Sequence, residues 1–106
     1  MLVAQQGMIG YDIAMIKGFK HKGLEKFFIK GSLSGIQPNH AQRLNDRLAF
    51  LDTATCIEDM DRLGYRLHEL EGKLKGRFAI NVSGNWRITF EFEDGDAYIV
   101  NYEDYH

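Results

Sequence analysis

The chain has 106 residues, enough for one domain with a single modest core. Hydrophobic residues make up 44% and charged residues 26%, an ordinary balance for a soluble globular protein. A formal net charge of −2 gives no strong overall field to draw in nucleic acid or an acidic membrane, so any polyanion-binding role must rest on a local patch.

The first 14 residues, MLVAQQGMIGYDIA, have no clear period and one charge, Asp12. They read as an extension upstream of a natural start at Met15, the alternative being an arm or an extra strand. They lack a basic segment and a long apolar run, so no secretory leader is expected. No apolar stretch in the chain approaches the roughly 20 residues that span a bilayer. The expectation is a cytoplasmic protein, with no membrane partner.

From Met15 the pattern becomes regular. MIKGF is a short strand candidate weakened by Gly18. GLEKFFIKG places Leu24, Phe27 and Phe28 at helical spacing, with Gly31 as the stop. SLSGIQ is a loop, and Pro38 sits where a first helical residue belongs. PNHAQRLNDRLAFLDTA then puts Ala41, Leu44, Leu48 and Leu51 on one face of an amphipathic helix. TCIEDMDRLG is a connection with room for one helical turn.

After Gly64 the period changes to two. YRLHEL is a short strand or extended segment, and GRFAINVS puts Phe78, Ile80 and Val82 on one side. SGN (Ser83–Asn85) is turn material. NWRITFEFE alternates, with Trp86, Ile88, Phe90 and Phe92 inward and Arg87, Thr89, Glu91 and Glu93 outward. DGD (Asp94–Asp96) is a hairpin signal, and AYIVNYEDYH is the returning strand. The order is that of an α+β domain.

Chemistry has few places to sit. The lone Cys56 offers neither a disulfide nor zinc-ligand spacing, and is expected to be a buried structural thiol. The four histidines lack the paired spacing of common metal sites, so no metal or other cofactor is expected. His21 and His40 read as surface residues on helices. What remains is a polar set on the late strands: His68, Arg87, Tyr105 and His106. If sheet pairing brings them together, they suit cleavage of RNA by its own 2′-hydroxyl. Imidazole exchanges a proton near neutral pH, a guanidinium stabilises charge growing on phosphorus, and a phenol stacks on a base or orients a ribose. Each also has a plainer role: a strand histidine, an arginine paired with Glu91 or Glu103, and terminal solubilising residues. Lys17, Lys20, Lys22 and Lys26 in FKHKGLEKFF form a local basic cluster suited to phosphates, Lys20 and Lys22 being the candidate contacts, with a solvated helix face as the simpler account.

Taken together, MIKGFKHKGLEKFF, HAQRLNDRLAFLDTA, YRLHELEGK, GNWRITFEF and DAYIVNYEDYH resemble the HigB toxins of bacterial type II toxin–antitoxin pairs, in the RelE/ParE superfamily. The resemblance runs from Met15 to His106. It implies two N-terminal helices packed on a curved antiparallel sheet. It also implies a ribosome-dependent mRNA interferase that enters the ribosomal A site and cuts translated mRNA. The partner would be a HigA-like helix-turn-helix antitoxin, the two forming a heterotetramer on operator DNA. The family's catalytic positions fall on His68, Arg87, Tyr105 and His106, with His68 as base and His106 as acid. One position departs: related toxins can carry a lysine in LHPLKG where this chain reads LHELEG, with Glu71 in that place and Glu69 where proline is usual, which leaves Lys73 or Lys75 of the adjacent turn as the substitute RNA contacts. Removing residues 1–14 moves the formal charge only from −2 to −1, whereas a nuclease acting on the ribosome is usually basic. A nuclease of reduced activity is therefore expected. The alternative is a toxin-fold binding module that holds an antitoxin, or a gyrase-like target, without cleavage.

Overall fold

Residues 16–74 and 76–105 are described by the structure, a computed structural model. The expectations for residues 1–15, Lys75 and His106 lie outside them.

Helix α1 spans Lys22–Lys30 and α2 spans Ala41–Thr53. The strands are β1 (His68–Glu69), β2 (Arg77–Ser83), β3 (Trp86–Glu93) and β4 (Asp96–Asp104), paired antiparallel in that order. The α+β expectation holds. Residues 16–19 add a short extended stretch along the outer side of β4. It runs parallel to that strand, through bridges from Ile16 to Ala97 and from Phe19 to Val100.

Both ends of α1 follow from local sequence. The His21 ring caps the start, its Nδ1 accepting from the Leu24 N–H at 2.9 Å. Gly31 closes the end in the left-handed region, at φ 75°, where a side chain would be strained. Leu24 is fully buried, and Phe19 meets Phe28 at 5.6 Å between ring centroids. The first turn of α1 lies against the following loop, where Gly23 and Gly35 touch backbone to backbone. A Cβ on Gly35 would sit 2.5 Å from the Gly23 Cα.

Pro38 opens a single 3-10 turn, Pro38–His40, that feeds α2. Leu44, Leu48 and Leu51 of α2 are fully buried with Met60 from the short 3-10 turn Ile57–Met60. They share one core with Ile80, Val82, Ile88, Phe90, Val100 and Tyr102 from one face of the sheet.

The β3–β4 hairpin turns at Asp94 and Gly95, with φ of 53° and 82°, as a two-residue turn of the primed class requires. Register then slips between Thr89 and Glu91, so that Ile99 and Val100 face the single residue Phe90. Ile99 takes up the bulge at φ 54°, a costly conformation for a β-branched residue.

Several details differ from the sequence reading. YRLHEL, expected as a short strand or extended segment, is a strand over His68–Glu69, and the positive φ of Gly64 and Arg66 (86° and 52°) keeps it that short. Thr89 points away from the helices yet is buried, set between Ala79 and Asn101 of the neighbouring strands. His40 is buried rather than exposed. The 3-10 turn tucks it beneath Trp86 and Tyr102, where its Nδ1 lies 2.7 Å from the Tyr102 hydroxyl. His21, the cap of α1, is half-buried with its ring edge on Tyr102. Cys56 is exposed, in the connection after α2, rather than a core thiol.

Candidate active site

The sheet presents one face to the core. Its other face carries a polar row in register: Asn81 on β2, Arg87 on β3 and Glu103 on β4. His68 lies on the same face, paired with Ala79 two residues from Asn81. Tyr105 follows β4 and is tied back by its N–H, which donates to the Asn85 carbonyl at 2.7 Å. That bond holds Tyr105 where the returning strand delivers it, against the β2–β3 turn.

His68, Arg87 and Tyr105 line one cleft of about 190 Å³, with Arg66, Asn81 and Asn85. The Arg66 carbonyl lies 2.9 Å from His68 Nδ1. A carbonyl only accepts, so Nδ1 carries the hydrogen and the neutral ring keeps its lone pair on Nε2. That is the tautomer a general base needs. The left-handed backbone at Arg66 sets this contact, turning its carbonyl back onto the ring two residues later.

Arg87 is more enclosed than an outward strand position suggests, its side chain being 12% exposed. Glu103 compensates the charge. One carboxylate oxygen, Oε2, accepts from Nε at 2.7 Å and lies 2.6 Å from Nη2. The Tyr105 ring covers one face of the guanidinium, 3.9 Å from Cζ to the ring centroid. The expected arginine–carboxylate pair is therefore real, and it sits inside the cleft beside the other candidate groups. Asn81 braces the wall, its amide donating to the Gly84 carbonyl at 2.9 Å.

The candidate lysines among the described residues lie elsewhere. Lys20 and Lys22 are exposed beside the start of α1, and Lys22 faces Glu25 at 3.9 Å. Lys73 is exposed on the 3-10 turn Gly72–Leu74. None of these three lines the cleft. Glu71 also lies outside it, on a separate hollow with Glu69, Leu70 and Gly72, and Glu69 accepts from the Gly76 N–H at 2.9 Å to close the turn. Sequence reasoning did not single out Arg66, Asn81 or Asn85. The SGN turn signal marked Asn85 as a loop residue, but nothing local announced Arg66. Among the described residues, no group of histidine, cysteine and carboxylate side chains is placed to hold a metal, and no helix is long and apolar enough to cross a membrane.

A protein-family model described as the RelE-like toxin of type II toxin–antitoxin system HigB matches residues 17–106. The chain belongs to the HigB-like toxin family. Its relatives include Endoribonuclease HigB of Proteus vulgaris, 55% identical over 92 residues, covering 87% of this chain and all of that protein. Toxin HigB-1 of Vibrio cholerae serotype O1 is 35% identical over 82 residues, covering 74% of this chain and 85% of that one. Membership of a type II toxin–antitoxin family implies an antitoxin partner for this HigB-like chain.

Proposed function

We propose that this HigB-like chain is the toxin of its pair and an endoribonuclease that cuts mRNA in the ribosomal A site. The observation that carries the reading is the meeting of His68, Arg87 and Tyr105 in one cleft, with the His68 Nε2 lone pair available. The relative from Proteus vulgaris is named an endoribonuclease, which supports it.

The reaction follows from those groups. His68 takes the proton of a ribose 2′-hydroxyl. The oxygen attacks the adjacent phosphorus in line, and Arg87 stabilises the charge on the phosphorane oxygens. The bond from phosphorus to the 5′-oxygen breaks, that oxygen receives a proton, and a 2′,3′-cyclic phosphate and a 5′-hydroxyl remain. His106 is assigned as the acid. Tyr105 keeps one ring face on Arg87 and offers the other to a base or ribose. The proposed partner is a HigA-like helix-turn-helix antitoxin, in a heterotetramer that reaches operator DNA through the antitoxin.

A second reading, a binding module with little or no cleavage, is favoured by Glu71 in place of lysine and by the carboxylate already on Arg87. Cleavage of mRNA on purified translating ribosomes separates the two. Loss of a general base costs roughly 10²–10⁴ in rate, so His68→Ala is expected to fall by that much and to lose toxicity in step. Growth arrest that persists in His68→Ala without mRNA cleavage supports the binding module instead.

A further inference from the structure

We infer that Glu103 is a positioning residue, which holds the Arg87 guanidinium by one edge so that its other edge is presented to the phosphodiester. The inference rests on the nuclease reading and deepens it.

A guanidinium has two edges that can make paired hydrogen bonds, Nε with Nη2 and Nη1 with Nη2. Glu103 occupies the first, with Nε and Nη2 at 2.7 and 2.6 Å from the same oxygen. Paired recognition of a phosphate is left to the second edge. Three further contacts fix the arrangement. Glu103 stands opposite Arg87 in the β3–β4 register, so the backbone sets their spacing. The Asn101 amide donates to the other oxygen, Oε1, at 3.4 Å. Tyr105 lies over one guanidinium face. Together they limit both swing and rotation of the arginine.

An exposed ion pair would contribute little, because water and side-chain entropy cancel most of the attraction. Here the arginine side chain is only 12% exposed and the glutamate 36%, so the pair is partly withdrawn from solvent. The same carboxylate has an opposite potential role, as a brake that neutralises the arginine and repels RNA. The two roles differ in sign. A brake makes removal of the charge speed the reaction. A positioning residue makes loss of the acceptor slow it, and makes an uncharged acceptor of the same shape largely sufficient.

The test compares wild type, Glu103→Ala and Glu103→Gln in single-turnover cleavage on programmed ribosomes. Binding is measured separately to ribosomes carrying mRNA with a 2′-deoxy nucleotide at the scissile position. Misplacing a reacting group costs on the order of 100-fold, so Glu103→Ala is expected to lose about that much in rate while binding stays within about threefold. Glu103→Gln is expected to recover to within about tenfold of wild type. Cleavage by Glu103→Ala at the wild-type rate, equal losses in both variants, or faster cleavage by either overturns the inference. A second readout needs no cleavage at all. In the free protein, the Arg87 Nε–H NMR signal is expected to be protected from exchange in wild type and Glu103→Gln and lost in Glu103→Ala. Identical signals in all three overturn the inference. A wild type with this signal pattern but no cleavage condemns the nuclease reading and leaves the ordering role intact.

Discussion

Replacing Tyr102 with phenylalanine removes one oxygen and tests how the helix side of the sheet is held. Tyr102 is 3% exposed and His40 is 5% exposed, so the bond between its hydroxyl and His40 Nδ1 lies in a dry environment. The same hydroxyl accepts from the Gln37 N–H at 3.3 Å. Deleting it strands a buried ring nitrogen, which costs about 1–3 kcal/mol. Gln37 is exposed, so water replaces that second bond and adds little. Ring packing survives, since Trp86 still lies tilted against the ring at 4.6 Å and His21 still meets it edge-on at 5.4 Å. A loss of about 2 kcal/mol is therefore expected, and at roughly 4 °C or more per kcal/mol for a domain near this size the melting point drops by about 8 °C or more. Urea unfolding at pH 7.5 measures it, with His40→Gln and the double variant completing a cycle. A Tyr102→Phe loss below about 0.5 kcal/mol, or no coupling to His40, refutes the idea that this bond anchors α2 to the sheet.

Two further consequences follow from the same packing. Burial first, and then the charge of Arg43, pull the His40 pKa below its usual value. The unfolded chain therefore binds a proton at His40 that the folded chain refuses, so stability is full above about pH 6.5 and falls as pH drops below it. The slope is up to about 1.4 kcal/mol per pH unit, and denaturant titrations of His40→Gln should lack that contribution; an unchanged slope contradicts it. Gly35→Ala drives a methyl into the Gly23 backbone, and overpacking of this kind costs about 1–3 kcal/mol. A urea midpoint equal to wild type indicates that the loop moves aside freely.

Much of the scaffold was legible because single local rules decided it. The alternation from Trp86 to Phe92, the Asp94–Gly95 turn and the leucine face of α2 each obey one period or one turn preference, and the structure carries all three. The grouping of His68, Arg87 and Tyr105 was legible one step further, through antiparallel pairing of neighbouring strands. What escaped depended on contacts distant in sequence or on broken local rules. His40 looks like a helix-start residue, and it is buried only because Trp86 and Tyr102, the latter from 62 positions away, arrive over it. Ile99 takes a conformation that its β-branch disfavours, so no propensity argument places the bulge there. Arg66 gains its role through a left-handed backbone after Gly64, which the sequence does not mark. Lys20 and Lys22 do not reach the cleft because α1 starts beside Val100, at the outer side of β4, whereas the cleft opens by β1 and the β2–β3 turn.

The central claim is that this cleft aligns an RNA's own hydroxyl for attack. Ribosomes programmed with an mRNA carrying a single 2′-deoxy nucleotide 5′ to the scissile phosphate test it directly. Wild-type protein is expected to bind this complex but leave that bond uncut, while the all-ribose mRNA yields a 2′,3′-cyclic phosphate and a 5′-hydroxyl. Cleavage of the deoxy-substituted bond contradicts it.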